Sequence, residues 1–179
     1  MVFANSQRLP GAIIDGKKLT DRQGIPGIIF CNSEGNESGG LIFDTEKTDS
    51  TLSAFGHLLF DQYKQDQVIA LQYIESPSGN RSGLRILDQP QRSITDQYRL
   101  MEAAENGDKR AKQKLEKLGA RGKATAFHVF VGTQSKTAAL QLHDKCGNER
   151  IRISVDSADV AHLKFLNKNG DVTYRLPNK

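Results

Sequence analysis

Four times this chain writes the same short phrase: an apolar run of strand character, a polar turn centred on glycine, and a second strand-like run. The turns fall in Asn32-Ser33-Glu34-Gly35-Asn36, Ser76-Pro77-Ser78-Gly79-Asn80, Asp144-Lys145-Cys146-Gly147-Asn148 and Asn167-Lys168-Asn169-Gly170-Asp171. Glycine takes the positive φ that a tight reversal needs, and Asn or Asp beside it bonds back to its own backbone, so each phrase reads as a β-hairpin. Such punctuation commits most of the chain to antiparallel strands. It dictates architecture and leaves chemistry open.

Between the turns the apolar residues alternate. Phe127, Val129 and Val131 do so, then Leu140 and Leu142, Ile151, Ile153 and Val155, Leu163 and Phe165, and finally Val172, Tyr174 and Leu176. A period of two sends one set to a buried face and the other to water, so these side chains are expected inside. Gly147 and Gly170 stand 23 residues apart, and Gly35 and Gly79 stand 44 apart with strand-like Leu52 to Phe60 between them. The spacing fits a degenerate unit of about 22 residues whose stacked copies bury a core together, and a plain meander accounts for the same turns. The expected fold is mainly β, made of degenerate hairpin or meander repeats, solenoid-like or an open barrel or sandwich.

The middle of the chain follows another rule. Ser93-Ile94-Thr95-Asp96 is a helix-capping start, and Ile94, Tyr98, Met101 and Ala104 follow helical spacing. Asn106-Gly107 stops that helix, Asp108 caps the next, and Ala111, Leu115 and Leu118 form a stripe closed by Gly119. Two short antiparallel helices are therefore expected at about 93–120, dividing a β part at 1–92 from another at 121–179 within one unit. Near the N-terminus, Ile13-Ile14-Asp15-Gly16-Lys17 is a small hairpin between the Pro-Gly turns at 10–11 and 26–27.

Charge is concentrated. Seven basic residues between Gly107 and Lys123 (Lys109, Arg110, Lys112, Lys114, Lys117, Arg121 and Lys123) face Asp108 and Glu116, a net +5 in a chain whose total is +4. Hydrophobic residues make up 37% of the chain and mean hydropathy is −0.53, which leaves a wet surface around strand-length apolar runs. No run approaches the roughly 18 apolar residues of a membrane span, so the chain reads as soluble as written. Cys31 and Cys146 lie at strand-to-turn positions and are expected as buried or half-buried free thiols, pairing only if their hairpins are neighbours.

Several constellations bear on function. Asn167-Lys168-Asn169-Gly170-Asp171 offers alternating oxygens, but the position six residues after the glycine is Leu176 where a calcium loop needs Glu, so neither a metal nor another cofactor is expected. Phe60 to Gln67 is the densest polar stretch. Read as a strand, it sets Asp61, Tyr63, Gln65 and Gln67 on one face, and with Asp66 and Arg85, and Arg81 and Asp88 expected nearby, these form a candidate grip on, or acid/base site for, a carbohydrate-like ligand. Lys109, Arg110, Lys112, Lys114 and Lys117 form a candidate surface for anionic partners, whereas the lack of aromatic residues from Arg99 to Ala126 argues against specific nucleic-acid binding. No nucleophile elbow or phosphate-cradling loop occurs, and no catalytic residue is assigned. His57, His128, His143 and His162 are scattered singly.

The segments Arg8 to Lys17, Gly35 to Phe43, Phe60 to Gln67, and Val129-Phe130-Val131-Gly132 through Asp144 to Ile153 and on to Phe165-Leu166 resemble an uncharacterised family of bacterial β-rich proteins with repeats of the type Asp-x-x-Gly-x-x-Arg. The resemblance implies no activity. It does imply an N-terminal membrane anchor, and hence an extracytoplasmic bacterial setting, although the segment before Pro10-Gly11 here has no apolar stretch of that kind. The function expected is a non-enzymatic structural or interaction module, self-associating through β edges with a second copy or another protein. Carbohydrate-like ligand binding or hydrolysis at Phe60 to Gln67, and anionic-surface binding by the basic helices, are the alternatives.

Overall fold

In a computed structural model, which describes residues 13–18, 26–89, 91, 93–118 and 126–178, the alternating runs form one antiparallel sheet. A small hairpin comes first, β1 (Ile13–Ile14) with β2 (Lys17–Lys18). Then follow β3 (Gly27–Cys31), β4 (Glu37–Lys47), β5 (Leu52–Asp61), β6 (Gln67–Ser76) and β7 (Gly79–Asp88). Helices α1 (Ile94–Glu105) and α2 (Lys109–Leu118) interrupt the series. It resumes with β8 (Ala126–Gln134), β9 (Thr137–His143), β10 (Glu149–Val155), β11 (Ala161–Leu166) and β12 (Val172–Leu176). Every strand from β3 to β12 pairs with its sequence neighbour, so the ten make an open meander with β3 and β12 at its edges and no barrel closure.

The turns explain the meander. Asn32, Asp144, Asp156 and Asn167 each use one side-chain oxygen to accept the backbone N–H groups two and four residues on, at 2.9–3.1 Å. In each the N–H three residues on also donates to the first residue's carbonyl, which closes the reversal. The fourth position needs a left-handed backbone: Gly147 has φ 81°, and Asp159, a residue type that tolerates this region, fills the same place with φ 60°. All four expected glycine turns join adjacent strands. Because successive turns of a meander alternate ends, however, the β6–β7 turn at Gly79 lies opposite the Gly35, Gly147 and Gly170 turns, and the 44-residue spacing measures no repeating unit.

The helical insert is capped as its sequence implies. Ser93 Oγ accepts from the Thr95 N–H at 3.2 Å, and Asp108 Oδ1 accepts from Arg110 and Ala111 at 2.7 and 3.2 Å. The helices pack on each other, with Ala104 and Ala111 buried. The insert is fastened to the β5–β6 turn, since the Ile94 N–H donates to the Lys64 carbonyl and Gln89 Nε2 donates to the Gln67 carbonyl, both at 2.8 Å. Gly119, the expected stop, lies outside the described residues.

Register sorts the side chains into two faces. One row crosses all ten strands as Ile28, Leu41, Leu58, Leu71, Leu84, Val131, Leu140, Ile153, Leu163 and Leu176. The next row on that face runs Phe30, Gly39, Phe60, Ile69, Ile86, Val129, Leu142, Ile151, Phe165 and Tyr174. The expectation that the alternating apolar set is buried is inverted: most large side chains of these rows are exposed, and no described element lies over them. Buried Ile42, Leu59 and Ala70, packed with Ile29 and Phe55, lie on the other face, as does buried Phe130. A register shift between Ile86 and Leu87 carries Phe127 to that second face, out of line with Val129. The cysteines also differ from expectation. Both are exposed and free, and their positions at edge strand β3 and in the β9–β10 turn are too far apart in the strand order to pair.

Candidate functional site

The aliphatic face is the most unusual surface of the molecule. With strands about 4.8 Å apart and same-face rows about 6.8 Å apart, the ten strands and two apolar rows cover roughly 48 by 14 Å, or about 650 Å². Leu71 is 54% exposed, Val131 46% and Ile153 49%. A third row adds exposed Phe43, Tyr73 and Val155. An apolar patch above a few hundred Å² is uncommon on a monomer and marks a surface that something covers.

The opposite face is mixed. His57 of β5 lies across from Gln72 of β6, which lies across from Gly83 of β7 and then Gly132 of β8. A side chain at Gly83 would meet the Gly132 Cα at 2.8 Å and the Phe130 ring at 2.9 Å, so the aromatic ring lies over the glycine pair and only glycine fits beneath it. Arg81 and Arg85 stand on β7 one row to either side of Gly83. Buried Gln72, with its amide turned so that the oxygen faces Arg81, accepts from Nε and Nη2 at 3.1 Å. The Arg85 guanidinium sits 4.9 Å over the Phe127 ring, whose other neighbour is the edge-on His143 ring at 4.5 Å. Burial, and then the charges of Arg81 and Arg85, hold the His57 imidazole below its ordinary pKa, and among the described residues its buried Nε2 has no hydrogen-bond partner.

The polar stretch from Phe60 to Gln67 is not one strand. Phe60 and Asp61 end β5, Gln67 begins β6, and 62–66 turn between them, because Lys64 takes φ 52° and the Gln65 N–H closes on the Gln62 carbonyl. Asp61, Tyr63, Gln65 and Gln67 therefore share no strand face. Tyr63 donates to Glu34 at 2.7 Å and Lys64 Nζ pairs with Asp15 at 2.6 Å. Asn36, almost wholly buried, accepts from the Asp15 N–H at 2.6 Å and donates to Glu34 at 2.9 Å. The Asp15 carboxylate, with Tyr63, raises the Lys64 pKa. This network clips the β1–β2 hairpin to the β3–β4 and β5–β6 turns. Asp66 caps its own turn by accepting from the Gln67 N–H, and Arg85 lies apart on the mixed face, so the proposed carbohydrate grip is not assembled.

Lys109, Arg110, Lys112 and Lys114 are exposed on α2, while the Lys117 side chain, Arg121 and Lys123 lie outside the described residues. His128 and His162 are not isolated: each faces a carboxylate, Asp88 at 2.8 Å and Asp156 at 2.9 Å. Among the described residues no His, Cys, Asp and Glu cluster has the makings of a metal site, and no helix is long and apolar enough to cross a membrane. The missed residues are Gln72 and His57, which sequence spacing separates from Arg81 and Arg85 and sheet register unites with them. Set against protein families, curated proteins and solved structures, the chain finds no match.

Proposed function

We propose that the protein is a non-enzymatic interaction module whose aliphatic sheet face packs against the same face of a second copy. The observation that carries this reading is the pair of unbroken ten-strand rows, largely exposed and free of charge. An area of about 650 Å² falls at the lower end of the roughly 600–1,000 Å² per partner of a stable interface. A face of this kind is self-complementary, since two twisted sheets pack at about 10 Å with their inner side chains interdigitated, and a two-fold axis closes the assembly without leaving a second apolar face. The edge strands β3 and β12, first expected to carry self-association, are secondary on this reading because each offers only five residues. Sedimentation velocity across a concentration series is the test. A species of twice the 19.8 kDa chain mass is expected, and a folded protein that stays monomeric at hundreds of micromolar refutes the proposal.

A further inference from the structure

On the mixed face, β5, β6 and β7 hold two guanidinium groups that no carboxylate balances among the described residues. Arg81 and Arg85 flank the His57–Gln72–Gly83 row, and among the described residues neither makes an ion pair. Asp44, the acid at the far end of the Arg81 row, lies three strands away and accepts from the N–H of its own neighbour Thr45. We propose that Arg81 and Arg85, with Gln72 and His57, form a binding site for an oxyanion of the phosphate or carboxylate type.

Two features support it independently of one another. Two like charges on one strand, one of them half withdrawn from water over Phe127, repel each other and lose hydration; an anion between them reverses both penalties. Arginine is suited to that task, because its planar guanidinium presents several N–H groups to a phosphate or carboxylate; Gln72 takes the Nε and Nη2 donors of Arg81 and leaves its Nη1 edge. Among the described residues the buried His57 Nε2 has no hydrogen-bond partner, and a buried polar group normally has one. A neutral imidazole carrying its proton on Nε2 donates directly to an oxyanion.

The probes are sodium phosphate and sodium citrate, each compared with sodium chloride at equal ionic strength, by thermal unfolding and isothermal titration. The wild-type chain is expected to be stabilised by phosphate, by citrate or by both, beyond the chloride effect. Response to phosphate alone assigns a phosphate ligand, and response to citrate alone a carboxylate. Arg81→Gln and Arg85→Gln should each weaken binding at least 10-fold, with Arg85→Lys between them and wild type. No saturable binding of either anion by titration overturns the proposal, whatever the general stabilising effect of these salts on unfolding, and so does unchanged binding by the double glutamine variant. Should that variant fail to fold, the imidazole nitrogen resonances of His57 in the wild-type chain, assigned with His57→Gln, decide: they move on phosphate or citrate addition if the site exists, and stay fixed if it does not. Because these residues lie on the face away from the aliphatic rows, a chain that binds anions yet remains monomeric upholds this site while refuting the dimer.

Discussion

Leu71 stands near the middle of the aliphatic row, between Leu58 and Leu84, and is 54% exposed. Burying a whole leucine side chain is worth about 1.5–3 kcal/mol, so covering the exposed half yields about 0.8–1.6 kcal/mol per chain. A two-fold interface uses the residue twice, which makes about 1.5–3 kcal/mol of dimer stability. Leu71→Ala should therefore weaken dimerisation by about 10–200-fold. Leu71→Asp adds two like charges taken out of water, and should leave only monomer at any workable concentration. The cost within one chain is small, under about 1.5 kcal/mol, because the side chain is lost from a surface and its cross-strand neighbours remain. Leu59→Ala is the control: Leu59 is 5% exposed on the opposite face, and its truncation should remove about 2–5 kcal/mol of folding stability. Sedimentation velocity gives the mass and urea unfolding the stability. If Leu71→Asp sediments like wild type, or loses as much folding stability as Leu59→Ala, the aliphatic face is not an interface and the argument fails.

Asn36→Ala removes the acceptor of the Asp15 N–H and a donor to Glu34, and should cost about 1–3 kcal/mol by urea unfolding, with faster amide exchange at Asp15; unchanged exchange there contradicts the clip between the β1–β2 hairpin and the turns. Asp144 is held below the usual carboxylate range chiefly by the Asn148 N–H, and Asp156 chiefly by the His162 ring, so the folded chain gives up these protons more readily than the unfolded one. Their contribution is present above the unfolded value of about 3.9 and lost as pH falls through the folded values. Asp144→Asn with Asp156→Asn keeps the turn acceptors and should flatten the acid limb of stability; a limb as steep as wild type rejects this assignment. His57 also has a lowered folded pKa, so stability should decline as pH drops below about 6.5, and His57→Gln should remove that decline. An identical pH dependence in the variant would show that another group is responsible.

The hairpins were legible because their signal is local. Asn32, Asp144 and Asn167 bond within their own turns, so the residues that specify the reversal are the residues that perform it. The helix caps Ser93 and Asp108 could be read for the same reason. The β5–β6 turn escaped notice because it has no glycine, and the left-handed backbone falls on Lys64, which its pairing with Asp15 helps to hold. The faces were harder. A period of two divides Val129 and Val131 from Phe130 but says nothing about which set is covered, and here the single aromatic residue is the buried one. The arginine cluster depends on register across three strands: Arg85 stood out in sequence, whereas its neighbours His57 and Gln72 become neighbours only through the pairing of β5, β6 and β7.

A single-layer sheet with one aliphatic face raises the question of how it folds before anything covers it. Fractional exposure within the rows answers it. Leu41 is 38% exposed, Ile69 39% and Leu71 54%, although no described element lies over them, so cross-strand and diagonal neighbours already hide about half of each side chain. That half contributes to folding of one chain, together with Ile42, Leu59 and Ala70 on the other face. The remaining half is released only on association. Folding and assembly thus draw on the same residues in sequence, and this separates substitutions by size and charge: shortening a row residue weakens both steps modestly, while a charge in the row's centre weakens the first only modestly and blocks the second. An assembly grown through the β12 edge would behave differently, since backbone pairing tolerates a charge at Leu71 and is stopped by proline at Tyr174, within the edge strand.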